Sequence, residues 1–218
     1  MGIVTGFLII RYYRRIEQPN LPVPFGSNMA WMAIETTDTI AVAEALGFKG
    51  INEIPWGEGV QAAHEGAVFV TPPVGDWTLA LGGSLFFASE RTTNALRSLL
   101  VRLGQRFRDV QYFSNLRDVN LFALARVRRG RLVRAYSWLG SQNRTLLYEG
   151  SPTKEEQDLG FRVGEGQPPR IDLGEGSDPT PFTEDFLLHL ANQWSIDPMT
   201  LNSEFFEPEL GRLGRLQL

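Results

Sequence analysis

Residues Asn120–Gly140 read NLFALARVRRGRLVRAYSWLG and carry the clearest secondary-structure signal in the chain. Leu121 to Val127 and Arg131 to Leu139 are rich in Leu, Val, Ala, Phe and Tyr, with Gly130 between them. Two β-prone runs around a short glycine turn predict an antiparallel hairpin. A two-residue turn at Arg129-Gly130 would set Arg128 opposite Arg131, and like charges facing across a ladder are destabilising. A three-residue loop, Arg128-Arg129-Gly130, puts Gly130 in the left-handed position and pairs Val127 with Arg131. This is the expected turn. One face then carries Phe122, Leu124, Arg126, Leu132, Arg134 and Tyr136. The other carries Leu121, Ala123, Ala125, Val127, Val133, Ala135 and Leu139. Neither face is cleanly polar near the base, which predicts a central strand pair covered on both sides with its tip in water.

The tip holds Arg126, Arg128, Arg129, Arg131 and Arg134, five arginines in nine residues. Guanidinium forks match phosphate and carboxylate geometry, so the run fits an anion-reading ribbon. The plainer reading is that a projecting hairpin carries charge for solubility and to blunt pairing with other strands.

Across all 218 residues the net charge is -4 and the pI about 5.3, which argues against generic nucleic-acid binding by the whole chain. The average hides a split. Residues 91–134 hold eleven arginines against Asp109 and Asp118, a net of +9. Residues 149–209 hold fourteen acids against Lys154, Arg162 and Arg170, a net of -11. These segments either neutralise each other or form two faces with different partners. There are no cysteines, which excludes disulfides and thiolate chemistry and fits a reducing compartment. Gly2 to Ile10 is apolar but far short of the roughly 20 residues a membrane span needs. Its positive charge follows the apolar run, the reverse of a signal peptide. A cytoplasmic chain with no membrane span is expected.

Ile3 to Tyr13 reads as an opening strand, followed by a proline-rich connector to Ser27. Ala30 to Glu35 is a strand, and Thr37 or Asp38 caps a helix that stops at Gly47. Lys49 to Gly66 reads as irregular. Ala67 to Thr71 and Trp77 to Leu81 are strands around a Pro-Pro turn. Thr92 to Phe107 is the strongest helix, because Leu96, Leu99, Leu100, Leu103 and Phe107 lie on one stripe. Val110 to Phe113 and Arg144 to Tyr148 are further strands. Lys154 to Leu159 forms a short helix closed by Gly160, and Thr183 caps a helix running to Trp194. Glu204 to Leu218 reads as a surface tail with a short helical turn. The class is α+β: a mixed, mainly antiparallel sheet with ferredoxin-like βαββαβ order, then the hairpin, helices mostly on one face. The expected divisions are an N-terminal strand and connector at 1–29, an α+β core at 30–163, a Gly/Pro-rich loop at 164–182, and a C-terminal helix and tail at 183–218 on the same domain.

Few residues are placed for chemistry. Gly57-Glu58-Gly59-Val60-Gln61-Ala62 matches G-x-G-x-x-A, but a dinucleotide site needs a strand before it and a full helix after it. Pro55-Trp56 precede it, so a turn with close backbone packing is expected and no cofactor. No P-loop or nucleophile elbow occurs. His64 and His189 stand apart with no cysteine, so no metal is expected. Glu53 and Glu58 flank Trp56 and are the best acids for a hydrolase, with His64 near them. No catalytic residue is assigned. Trp56, between glycines and acids, is the best candidate for an exposed aromatic anchor at an interface; core packing is the plainer reading.

VFVTPPVGDWTLALG (Val68–Gly82), VQYFSNLRDVN (Val110–Asn120), LVRAYSWLG (Leu132–Gly140) and WSIDP (Trp194–Pro198) together resemble a group of uncharacterised bacterial proteins. Stand-alone acidic proteins of this kind look like immunity proteins of bacterial toxin systems. The resemblance implies a non-enzymatic protein binder that neutralises a toxin by occlusion, with the acidic segment as its surface. The resemblance carries no residue role onto this chain; read from the sequence itself, the partner-binding residues are Trp56, Glu58, Arg126, Arg128, Arg129, Arg131 and Arg134. The alternatives are anion or nucleic-acid binding through the hairpin, and a hydrolase using loop carboxylates.

Overall fold

The computed structural model describes residues 20–85, 89–163, 168–172, 174, 180–201 and 207–216. The expected strand at Ile3–Tyr13 lies outside them. In chain order the described residues form β1 (Ala30–Glu35), α1 (Thr39–Ala45), β2 (Asn52–Ile54), α2 (Trp56–His64), β3 (Val68–Val70), β4 (Trp77–Leu81), α3 (Glu90–Arg106), β5 (Asp109–Leu116), β6 (Leu121–Arg128), β7 (Arg131–Leu139), β8 (Arg144–Glu149), α4 (Lys154–Asp158), β9 (Phe161–Arg162), β10 (Arg170–Ile171), β11 (Thr180–Pro181), α5 (Glu184–Trp194) and β12 (Gly211–Gly214), besides short 3-10 turns. The class is α+β. A nine-stranded sheet runs β2-β12-β3-β4-β1-β5-β6-β7-β8, and β11-β10-β9 form a small second sheet. Each registered strand pair is antiparallel.

Helix starts follow their capping chemistry. Asp38 accepts from the Ala41 N–H at 2.9 Å. Ser89 and Thr92, and Thr153 and Glu156, close reciprocal capping boxes at α3 and α4. Thr183 accepts from Phe186 N–H at the start of α5.

Helices cover both faces of the sheet, not mainly one as expected. Trp31, Leu79, Leu81, Phe113, Leu124 and Tyr136 pack with α2, α5 and the small sheet. Met32, Ile34, Ala80, Tyr112, Ala125 and Ala135 pack beneath α1 and α3. The cause is the composition of the central strands. Ala30–Ile34 is buried throughout, so both of its faces need cover. On α3, Leu96, Leu99, Leu100 and Leu103 are buried as the period required, each contributing about 1.5–3 kcal/mol.

The hairpin forms, but with the other turn. Arg128 pairs with Arg131 across a two-residue turn, Arg129-Gly130, with φ of 50° and 74°. Two positive φ values suit the twist of a tight hairpin. The repulsion that argued for a longer loop is met instead by the Asp109 carboxylate, whose Oδ2 lies 3.0 Å from Arg128 Nε. A left-handed residue other than glycine costs about 1–2 kcal/mol, so Arg129 holds its place at some expense. Register slips between Arg126↔Arg134 and Val127↔Leu132, so Val133 bulges out and is 40% exposed. The bulge turns Leu132 onto the α3 face, away from Arg134, where the simple alternation had placed it.

Three segments differ from the sequence reading. Residues 49–66, read as irregular, contain β2 and α2. Residues 204–218, read as a tail, contain β12, which lies between β2 and β3. Within 164–182, read as a loop, β10 pairs with β9 on one side and with β11 on the other.

Helix α3 meets the hairpin through Gly104, where a Cβ would overlap Val127 Cγ1. Gly104→Ala would gain up to about 1 kcal/mol of helix propensity. The overpacking costs about 1–3 kcal/mol and prevails, because Val127 is fully buried. Urea denaturation is expected to show a lowered midpoint at unchanged slope; a raised midpoint would mean that the hairpin yields freely.

Candidate functional site

Strand register assembles a charged row at one end of the sheet. Glu35 on β1 pairs with Trp77 on β4, so their side chains share a face. Ala33 pairs with Gln111, which puts Asp109, two residues earlier on β5, on that same face. Asp109 in turn pairs with Arg128, and Gln111 with Arg126, on β6. Further along these strands the same face is apolar, with Trp31, Leu81, Phe113 and Leu124. Helix α5 covers that apolar part and ends at Trp194. Its end is tied to the sheet by Gln111, which donates to Trp194 O at 3.0 Å and accepts from Ser195 Oγ at 2.7 Å. Beyond Trp194 the charged row is left uncovered. The result is a cavity of about 600 Å³ lined by Glu35, Trp77, Arg108, Asp109, Arg126, Arg128, Arg129 and Trp194.

Donors and acceptors in this cavity divide clearly. Asp109 is 3% exposed and is gripped by Arg126, with Nε 3.1 Å from both carboxylate oxygens and Nη2 2.6 Å from Oδ2. The Arg126 guanidinium also lies over the Trp194 ring, 5.2 Å from its centroid. Arg108 forms a two-pronged pair with Glu35, Nε to Oε2 at 2.8 Å and Nη2 to Oε1. Arg128 contributes only Nε to Asp109, and its side chain is 59% exposed. The Arg129 side chain has no hydrogen-bond partner among the described residues. Four guanidinium groups thus face two carboxylates, leaving two positive charges in excess. Their field reaches Glu155 at the start of α4. Partial burial raises the Glu155 pKa, but hydrogen bonds from the backbone and Thr153 and the charges of Arg126 and Arg128 outweigh it and hold the carboxyl below its ordinary range.

The expected site residues are scattered. Arg126, Arg128 and Arg129 line the cavity. Arg131 is exposed on the tip and does not line it. Arg134 is fully buried, paired through Nε with Glu156 at 3.0 and 3.1 Å, so it is part of the core rather than of a tip in water. Trp56 is 1% exposed, edge-on to Phe69, so it is a core residue and not an exposed anchor. Glu58 is exposed on α2. Gly57 and Gly59 lie inside that helix, and Gly59 packs directly on the Phe69 ring, so the expected turn is helical and its close packing real. Glu53 pairs with Arg212 on β12, His64 is exposed, and neither lines the arginine cavity.

Glu35, Trp77, Arg108, Asp109 and Trp194 were missed as site residues. One signal for them existed: Asp109 and Gln111 are polar residues on one face at the start of a buried strand. The charge split resolves partly by mutual neutralisation, since Arg97 pairs with Glu149, Arg117 with Glu184, and Arg134 with Glu156. Among the described residues no group of acids and histidines forms a metal site, and no helix is long and apolar enough to cross a membrane.

Comparison with protein-family models, with curated proteins and with solved structures returns no match.

Proposed function

We propose that this protein binds an anionic small molecule in the arginine cavity beneath the hairpin. The observation that carries the reading is the unspent fork of Arg128 and the whole of Arg129, facing an open cavity whose other charges are already paired. Arginine forks in a partly enclosed site bind phosphate or carboxylate oxygens strongly, because neighbouring low-dielectric walls reduce screening. Two indoles in the wall add apolar surface, as in pockets that hold organic ligands.

Toxin occlusion of the immunity type draws less support. It would use free acids in residues 149–209, and four of the ten described there, Glu149, Glu156, Asp158 and Glu184, form ion pairs within the chain. On the fold itself, we read β3-β4-β1-β5 with α1 and α3 on one face as a ferredoxin-like centre, enlarged at both edges and interrupted by β2 and α2.

The test is the double variant Arg128→Ala/Arg129→Ala, titrated with pyrophosphate by calorimetry. Affinity is expected to fall at least tenfold, about 1.4 kcal/mol. Stability should change by less than about 1 kcal/mol, since both side chains are exposed. Wild-type affinity should also drop with added salt. Unchanged pyrophosphate binding in the double variant would remove the proposal.

A further inference from the structure

We infer that the ligand is a nucleoside phosphate, its phosphate held by Arg128 and Arg129 and its base stacked on Trp77. This rests on the anion-binding reading above and narrows it.

Arg129 supplies the first argument. It occupies a left-handed position, φ 50°, at the first corner of a two-residue turn. Asn or Gly would sit there with little strain, so backbone geometry does not account for an arginine. Strain of this kind is the mark of a side chain kept for what it touches. Its N–H also donates to Arg108 O at 2.7 Å, which pins the hairpin tip onto the start of β5. The Arg129 side chain therefore lines the cavity from an anchored turn rather than a waving tip.

Charge supplies the second. A carboxylate brings one negative charge and is satisfied by one fork. This cavity offers two forks and an excess of two positive charges. A phosphate monoester, with a charge near −2 at pH 7 and three acceptor oxygens, matches both.

The third is the wall. Trp194 already has Arg126 over its ring, whereas half-buried Trp77 has no ring or guanidinium partner among the described residues. A cavity of about 600 Å³ is far larger than a bare phosphate requires and falls within the range of about 300–1,000 Å³ typical of ligand pockets. A flat base joined to a phosphate fills such a space, with stacking on indole for the base.

The experiment titrates the full chain with adenosine 5′-monophosphate, ribose 5-phosphate, adenosine and a single-stranded oligonucleotide. The nucleotide is expected to bind at least tenfold more tightly than the sugar phosphate and than the nucleoside. Arg129→Asn should weaken the nucleotide at least tenfold while the denaturation midpoint holds or rises, a pairing that a merely structural arginine would not give. Trp77→Ala should bring the nucleotide down to the level of ribose 5-phosphate, and Trp77→Phe should keep most of the difference if the alanine variant misfolds. Equal binding of nucleotide and sugar phosphate overturns the nucleoside assignment and leaves the anion site standing. Binding of the oligonucleotide alone overturns it in favour of a strand. No binding of any phosphate compound removes both readings.

Discussion

Arg134→Met is expected to lower the free energy of unfolding by about 3–5 kcal/mol, because it leaves a buried carboxylate without its partner. Arg134 and Glu156 both have side chains with no exposed surface. The guanidinium also donates to Gly150 O at 3.0 Å and lies 5.2 to 5.9 Å from the ring centroids of Tyr136, Tyr148 and Phe161. Glu156 accepts from Thr153 N–H at 2.8 Å, so the same carboxylate closes the capping box of α4. One ion pair therefore ties the hairpin to α4. Equilibrium urea denaturation is the measurement. Adding Glu156→Leu to Arg134→Met should restore much of the loss, because the stranded charge is then gone. A loss below about 1 kcal/mol for the single variant would show that water reaches the pair.

Asp109→Ala is expected to be of similar size, about 3–5 kcal/mol, for a related reason. Arg126, 6% exposed, would lose the one carboxylate it is hydrogen-bonded to among the described residues, and Arg128 would face Arg131 without the carboxylate that now bonds it. The hairpin turn should suffer first. Hydrogen exchange at the amides of Val127 to Leu132 is expected to quicken more than at the α3 leucines. Uniform exchange across both would place the damage elsewhere. The exposed pair Arg97–Glu149 has the same chemistry but stands in water, and pairs of that kind contribute little.

What could be read from the sequence was whatever a short window specifies. The Leu96–Leu103 stripe, the Asp38 and Thr183 caps and the paired strands around Gly130 each announce themselves within one or two turns of chain. Strand β2 and helix α2 do not. Two of the three β2 residues are exposed, and α2 opens with Trp56-Gly57-Glu58-Gly59, a poor helix by propensity. That helix exists because Trp56, Val60 and Ala63 bury against the sheet, and Gly59 lets it come close to Phe69. Strand β12 begins and ends on glycine, which lowers strand propensity. Each glycine, though, fits where a side chain would strike Phe69 or Phe48. The site divides the same way. Its arginines were visible as a run, but which of them were already spent was not, because Asp109 lies 17 residues from Arg126 and Glu35 lies 73 from Arg108. Hairpin geometry was missed for the same reason, since the remedy for Arg128 facing Arg131 comes from another strand.

Among the described residues strand β2 reaches the large sheet through β12 alone, and β12 is built from residues 211–214. During synthesis on the ribosome, β3 must wait with an open edge while some 140 further residues emerge, a long-range closure that is slow for entropic reasons. Until then Phe69 and its neighbours are a template for unwanted strand addition by other nascent chains. A cell making this protein has most to gain from a chaperone at that last stage, after the hairpin and α3 have already settled.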